Sequence, residues 1–172
     1  MKKKYYLGLS IVIILTMVIL SLGYSSVLNK STDTLKLAMV NTNINNFETT
    51  TLNETPYTQK DFPKGIVVVE VFASWCIPCR TSYPEIVKKK KKNVDKNISV
   101  IGIAYEDVSF EIENFEKQYG KLDTVIMTNV KVKDAFSLRS VPQTLIVKDK
   151  KVRYKIYGSP KSSDIDKVIN LL

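Results

Sequence analysis

A chain of 172 residues that is 44% hydrophobic and 25% charged has material for one packed domain plus an appendage, which excludes a disordered or collagen-like polymer. The net charge of +9 comes from scattered lysines without interleaved aromatics; it suits an anionic membrane or wall surface and argues against nucleic-acid binding. Histidine is absent and there are only two cysteines, so Ser-His and Cys-His catalysis, imidazole-bound zinc or copper and four-thiolate cages are excluded. No metal or cofactor is expected.

Lys2, Lys3 and Lys4 precede an uncharged stretch, residues 5–29, that is almost wholly apolar over residues 7–22. About 20 helical residues cross a hydrocarbon layer. Residues 1–28 are therefore expected to be a single-pass membrane anchor, with the N-terminus cytoplasmic and the remainder outside. The rival is a cleaved signal segment, with Gly23 and Ser25 near the cut and a secreted product. Either way the domain works outside the cytoplasm, where disulfides persist. Residues 29–46, rich in Ser, Thr and Asn, read as a polar linker in which residues 35–40 could fold on locally. The folded domain is expected over 47–172.

Within it, the β-branched run Ile66–Phe72 has the near-continuous apolar character of a strand buried on both faces. Residues 98–105 form a second such run, and residues 77–92 between them read as a helix with Tyr83, Ile86 and Val87 inward. Strand, helix and strand at this spacing predict a right-handed βαβ unit. Ser109–Tyr119 shows helical spacing, with Phe110, Phe115 and Tyr119 read as core. A short strand over 124–127 and a short helix over 132–138 follow. Residues 144–147 and 152–157 predict two strands joined by a tight charged turn, and residues 162–172 an amphipathic closing helix. The order predicts an α/β fold, a mixed sheet with helices on both faces. The five lysines at 88–92 read as a solvated face that also complements the helix C-terminal dipole.

Chemistry concentrates at Trp75-Cys76-Ile77-Pro78-Cys79, between a buried strand and a helix. A helix N-terminus carries unpaired N–H groups and partial positive charge, both of which stabilise a thiolate. Cys76 is expected there, exposed and with a lowered pKa, and Cys79 one turn later and more buried. A structural disulfide, or half of an intermolecular metal site, is the bland alternative. Arg80 after Cys79 excludes the haem-attachment motif. Glu70, in the middle of the apolar strand, is costly unless paired or protonated. It reads as a proton acceptor beneath the cysteines with a raised pKa, or else as an outward-facing strand residue. Val141-Pro142 precedes a strand; a cis proline there would leave the preceding backbone free to pair with an incoming peptide.

These residues resemble the thioredoxin superfamily, and within it the membrane-anchored TlpA/ResA-like thiol–disulfide oxidoreductases of bacteria. The likeness is carried by residues 72–80, Pro84, residues 141–144 and Gly158, and covers about 47–172. The segment 109–127 resembles this subfamily's insertion. The resemblance implies a thioredoxin-like fold, with Cys76 as attacking cysteine, Cys79 as resolving cysteine and Pro142 as cis-proline. Glu70 stands where thioredoxins place a buried Asp. Trp75, Val141 and Pro142 would bind substrate, and Ile77 and Pro78, matching neither Gly-Pro nor Glu-Pro, would tune the potential. ResA-like members have a Glu three residues after the second cysteine; here it is Ser82, a departure from the members that serve cytochrome c maturation. The implied protein is a monomer that reduces protein disulfides and is recharged by a membrane electron donor of the CcdA/DsbD type. An oxidase of the same fold, a redox-inert binding or chaperone module and, more remotely, a peroxidase are the alternatives.

Overall fold

The computed structural model describes residues 15–18, 36–92 and 98–172. It divides into two units, Met1–Thr34 and Leu35–Leu172. In the first, residues 15–18 are helical, and most of the expected anchor lies outside the described residues. Among the described residues, no helix is long and apolar enough to cross a membrane.

The second unit runs β1 (Lys36–Asn43), β2 (Glu48–Thr50), β3 (Pro56–Thr58), β4 (Ile66–Phe72), α1 (Cys79–Lys92), β5 (Ile98–Ala104), α2 (Ser109–Tyr119), β6 (Val125–Met127), α3 (Val130–Phe136), β7 (Gln143–Lys148), β8 (Lys151–Tyr157) and α4 (Ser162–Ile169). The main sheet has the order β1-β8-β7-β4-β5-β6, and β2 pairs with β3 apart from it. β4, β5 and β6 are parallel, whereas β7 and β8 run antiparallel to their neighbours. The sheet is mixed, as the element order predicts. The β7–β8 turn is tight because Asp149 and Lys150 both take left-handed backbone, φ 51° and 59°, the pair of angles that matches a hairpin's twist.

Alternation along β4 divides the core. Val68 and Phe72 face α1, α2 and α4 in one apolar cluster; Val67, Val69 and Val71 face α3, Phe47, Tyr57 and Phe62 in the other. Burial on both faces explains the nearly unbroken apolar run. Phe72, Tyr83 and Phe115 lock α1 and α2 onto the sheet, with ring centroids 4.4, 5.4 and 5.1 Å apart in pairs. Such aromatic pairs each add about 0.5–1.5 kcal/mol beyond area burial. The Tyr83 hydroxyl donates to Glu116 Oε1 at 2.6 Å, and Leu122 N–H donates to the same oxygen at 2.9 Å, which offsets the desolvation of that buried carboxylate.

Three readings change. Residues 36–43, assigned to the linker, form edge strand β1 against β8, with a register shift between Met39 and Thr42 and a left-handed Asn41; pairing supplied by β8 overrides their polar composition. Lys89, inside the run read as solvated, is 1% exposed and ion-paired with Asp166 of α4, because α1 packs against α4 and turns this one lysine inward. Phe110, read as core, is 66% exposed, since the inward face of α2 is taken by Ile112, Phe115 and Glu116.

Candidate active site

β4 ends at Phe72, and the chain leaves the sheet through residues 73–78 before α1 begins at Cys79. The turn winds gradually into the helix. Cys76 N–H donates to the Ala73 carbonyl at 3.2 Å, Cys79 N–H to the Cys76 carbonyl at 3.1 Å, and Arg80 N–H to the Ile77 carbonyl at 3.1 Å. Pro78, which has no N–H to offer, fits the step before the first helical residue. Winding of this kind sets the two cysteines 5.3 Å apart at Cα, joined by a disulfide, and Cys79 N–H also lies 3.2 Å from Cys76 Sγ. Cys76 is only 4% exposed, which corrects the expectation of an open sulfur: in the disulfide it points at Cys79, which is fully buried. Exposure falls instead on its neighbours, Trp75 at 57% and Ile77 at 72%.

Beneath this turn lies Glu70, with no exposed surface. Its register partners are Thr144 on β7 and Gly102 on β5. Ser82 Oγ donates to Glu70 Oε1 at 2.8 Å and Thr144 Oγ1 to Oε2 at 2.7 Å. No cation pairs with Glu70 among the described residues. Burial pushes its carboxyl from 4.5 up to about 8, against the opposing pull of the Thr144 and Ser82 hydroxyls. The strand residue read as either outward or buried is buried.

Val141–Pro142 is a cis peptide bond. Val141 packs against both core clusters, and Pro142 is followed directly by β7. The loop after β8 joins this segment to the redox turn: Gly158 N–H donates to the Pro142 carbonyl at 3.4 Å, and Ser159 Oγ to the Pro78 carbonyl at 3.2 Å. Gly158 has φ 90°, a backbone that an L side chain would strain. On the other flank, the Trp75 indole N–H donates to the Glu106 carbonyl at 3.3 Å and Ser74 N–H to Asp107 Oδ2 at 2.6 Å.

Cys76, Cys79, Trp75, Ile77, Pro78 and Glu70 are thus gathered at the C-terminal end of β4 and the start of α1, with Pro142 linked to them through residues 158–159. Sequence reasoning missed Asp107 and Ser159, met Thr144 only as part of the 141–144 likeness, and met Ser82 only as a departure from a pattern. Ser82 carried a usable signal, since i+3 on a helix lies on the same face as Cys79. Thr144 carried none, because its place opposite Glu70 depends on β-sheet register.

A family model described as Redoxin matches residues 39–169. A thiol-disulfide oxidoreductase ResA of Bacillus cereus is 26% identical over 123 residues, covering 70% of this chain and 71% of that protein. The thiol:disulfide interchange protein HelX of Rhodobacter capsulatus is 27% identical over 97 residues, covering 55% and 53%. Among solved structures, a DsbF homologue from Corynebacterium diphtheriae has a TM-score of 0.69 at 19% identity, covering 83% of this chain and 96% of that one. A thiol:disulfide interchange protein of the thioredoxin family from Chlorobium tepidum TLS has a TM-score of 0.66 at 22% identity, covering 78% and 97%. At these identities the structural likeness shows the fold, and the fold is thioredoxin-like. The chain belongs to the Redoxin family, as a thiol–disulfide oxidoreductase of the TlpA/ResA-like part of the thioredoxin superfamily.

Proposed function

We propose that the protein reduces protein disulfides outside the cytoplasm, held at the membrane by residues 1–28. In the reduced state the Cys76 thiolate attacks one sulfur of a substrate disulfide docked against Trp75, Val141 and Pro142. The substrate S–S bond breaks, one substrate sulfur leaves as a thiol, and Cys76 holds the other in a mixed disulfide. Cys79 passes its proton to Glu70 and attacks the Cys76 sulfur, releasing the second substrate thiol and leaving the Cys76–Cys79 disulfide. Two electrons have then moved from the protein dithiol to the substrate. A membrane electron donor of the CcdA/DsbD type returns them, and Ile77 and Pro78 tune the potential at which the cycle runs.

The observation that carries this reading is Glu70, sealed under the turn with only hydroxyl partners and a carboxyl near 8. Burial moves the Glu70 carboxyl up toward the range in which ordinary thiols ionise, about 8.5, which suits a general base for a thiol. A carboxyl at its ordinary value would hold the proton too weakly.

Trapping tests the assignment. Cys79→Ser in the full chain should accumulate proteins disulfide-linked to Cys76 in cells, and Cys76→Ser should accumulate none. The direction of flow is read from the reduction potential. A value near about −270 mV, like thioredoxin, fits a reductase; one near about −120 mV, like the strong oxidants, makes the protein a disulfide donor instead.

A further inference from the structure

Residues 106–116 hold Glu106, Asp107, Glu111, Glu113 and Glu116 and no basic residue, inside a chain of net charge +9. The bonds from Trp75 to Glu106 and from Ser74 to Asp107 tie the start of this segment to the redox turn. α2 begins two residues later, and its N-cap and first turn present apolar side chains to solvent: Val108 is 61% and Phe110 66% exposed. With Trp75 and Ile77, which flank Cys76, they make four exposed apolar side chains on the redox turn and the segment bonded to it. Apolar surface gathered in this way marks a place where another molecule binds.

The acids of the segment are not equivalent. Glu106 is paired with Lys133 at 2.7 Å, Asp107 is occupied by the Ser74 and Val108 N–H groups, and Glu116 is buried against Tyr83. Glu111 and Glu113 are exposed and take part in no ion pair among the described residues. Because Ile112, Phe115 and Glu116 point inward, helical geometry puts Phe110 on the outer face of α2, with Glu111 on one flank of it and Glu113 on the other. The next cation along the helix, Lys117, stands one turn beyond Glu113 and donates to Asn114, and Arg80 follows Cys79 in the first turn of α1.

We infer that this surface docks the partner polypeptide around its reactive disulfide, and that the segment it takes carries apolar residues together with Lys or Arg beside its cysteines. The apolar side chains cover Trp75, Ile77, Val108 and Phe110, and the basic ones meet Glu111 and Glu113. The inference rests on the thiol-exchange reading above and specifies the substrate class for the same site.

The test uses two peptides of identical apolar sequence, each closed by one disulfide, with Lys flanking the cysteines in one and Glu in the other. The full chain, reduced beforehand with dithiothreitol and freed of it, converts each peptide disulfide to two thiols as Cys76 and Cys79 form theirs. In this single turnover the Lys peptide should be favoured about 10-fold in second-order rate constant at low ionic strength, and high salt should shrink the ratio. Glu111→Lys with Glu113→Lys should bring it to unity or invert it. A ratio within one protein is insensitive to how much of a variant folds. Phe110→Ser should lower that rate constant for both peptides. Equal rates for the two peptides on the unaltered chain overturn the inference and leave thiol exchange standing; reduction of neither overturns both.

Discussion

The Ser82 hydroxyl lies 2.8 Å from Glu70 Oε1 and 3.4 Å from the carbonyl oxygen of Cys79, so one side chain spans the buried carboxyl and the backbone of the second cysteine. When Glu70 is ionised, Ser82 donates to it. When Glu70 is protonated the carboxyl itself can donate, and Ser82 can turn its proton to the Cys79 carbonyl. A hydroxyl, being both donor and acceptor, serves both states. A glutamate at this position would place a second carboxyl against the first.

Glu70 makes the stability of the oxidised protein fall with rising pH. Its folded pKa lies above the ordinary value of 4.5, near 8, so the native state binds the proton more tightly than the unfolded chain. Its contribution is whole below pH about 4.5, declines as pH rises, and is lost once pH passes about 8. The steepest slope is about 1.4 kcal/mol per pH unit for one proton. With no histidine in the chain and both cysteines in the disulfide, few other side chains titrate across that window. Denaturant titrations of the oxidised protein should show the slope, and Glu70→Gln should flatten it. A slope that survives in Glu70→Gln places its origin elsewhere.

Ser82→Ala should raise the Glu70 pKa further, because one of the two donors that favour the carboxylate is gone. The pH midpoint for resolution of the mixed disulfide should move up by roughly one unit, and Ser82→Thr should hold the original midpoint. The chain has a single tryptophan, and it is Trp75, so stopped-flow fluorescence can follow the step. An unmoved midpoint in Ser82→Ala would remove Ser82 from the proton path.

Lys155 fastens the end of α3 to the sheet. It is 5% exposed on β8, and its ammonium donates to the carbonyls of Phe136 at 2.9 Å and Ser137 at 2.8 Å. Burial, then the nearby Arg139, lowers its pKa, yet those carbonyls at a helix C-terminus favour a cation. Lys155→Met should cost about 1–3 kcal/mol by stranding them. The denaturant midpoint should fall with little change in m-value.

Gly102, the register partner of Glu70 on β5, leaves no room for a methyl group. A Cβ there would stand 3.0 Å from Phe72 Cε1, 3.1 Å from Val125 Cγ2 and 3.2 Å from Leu122 Cδ1. Gly102→Ala should destabilise the fold by about 1–3 kcal/mol, the usual cost of overpacking a filled core. Thermal unfolding measures it, and an unchanged Tm would mean that Leu122 and Val125 yield freely.

Much of the fold was legible because its signals are local. The β4–α1–β5 unit shows itself in two β-branched runs and the helical spacing between them, and α4 in Ile165 and Val168. β1 was only partly legible, as residues 35–40 able to fold on, since Lys36–Asn43 becomes a strand only when β8, more than a hundred residues later, offers its edge. Lys89 was hidden for a similar reason: five consecutive lysines look alike until Asp166 of α4 selects one. Phe110 misled because aromatic spacing on a helix does not say which half of the helix meets the core.

By itself the sequence determined which chemistry to expect. Two cysteines one helical turn apart, no histidine and a strand leading into a helix favour thiol–disulfide exchange over a structural disulfide or a shared metal site, because they fix which reactive groups exist and how the chain spaces them. Only the tertiary structure decided what surrounds the sulfurs. Glu70 meets Ser82 through the packing of α1 on β4 and Thr144 through the register of β4 with β7; Trp75 meets Glu106 through the neighbouring ends of β4 and β5. Those contacts join segments far apart in the chain, and a pKa near 8 arises from the burial they create together, not from any residue alone.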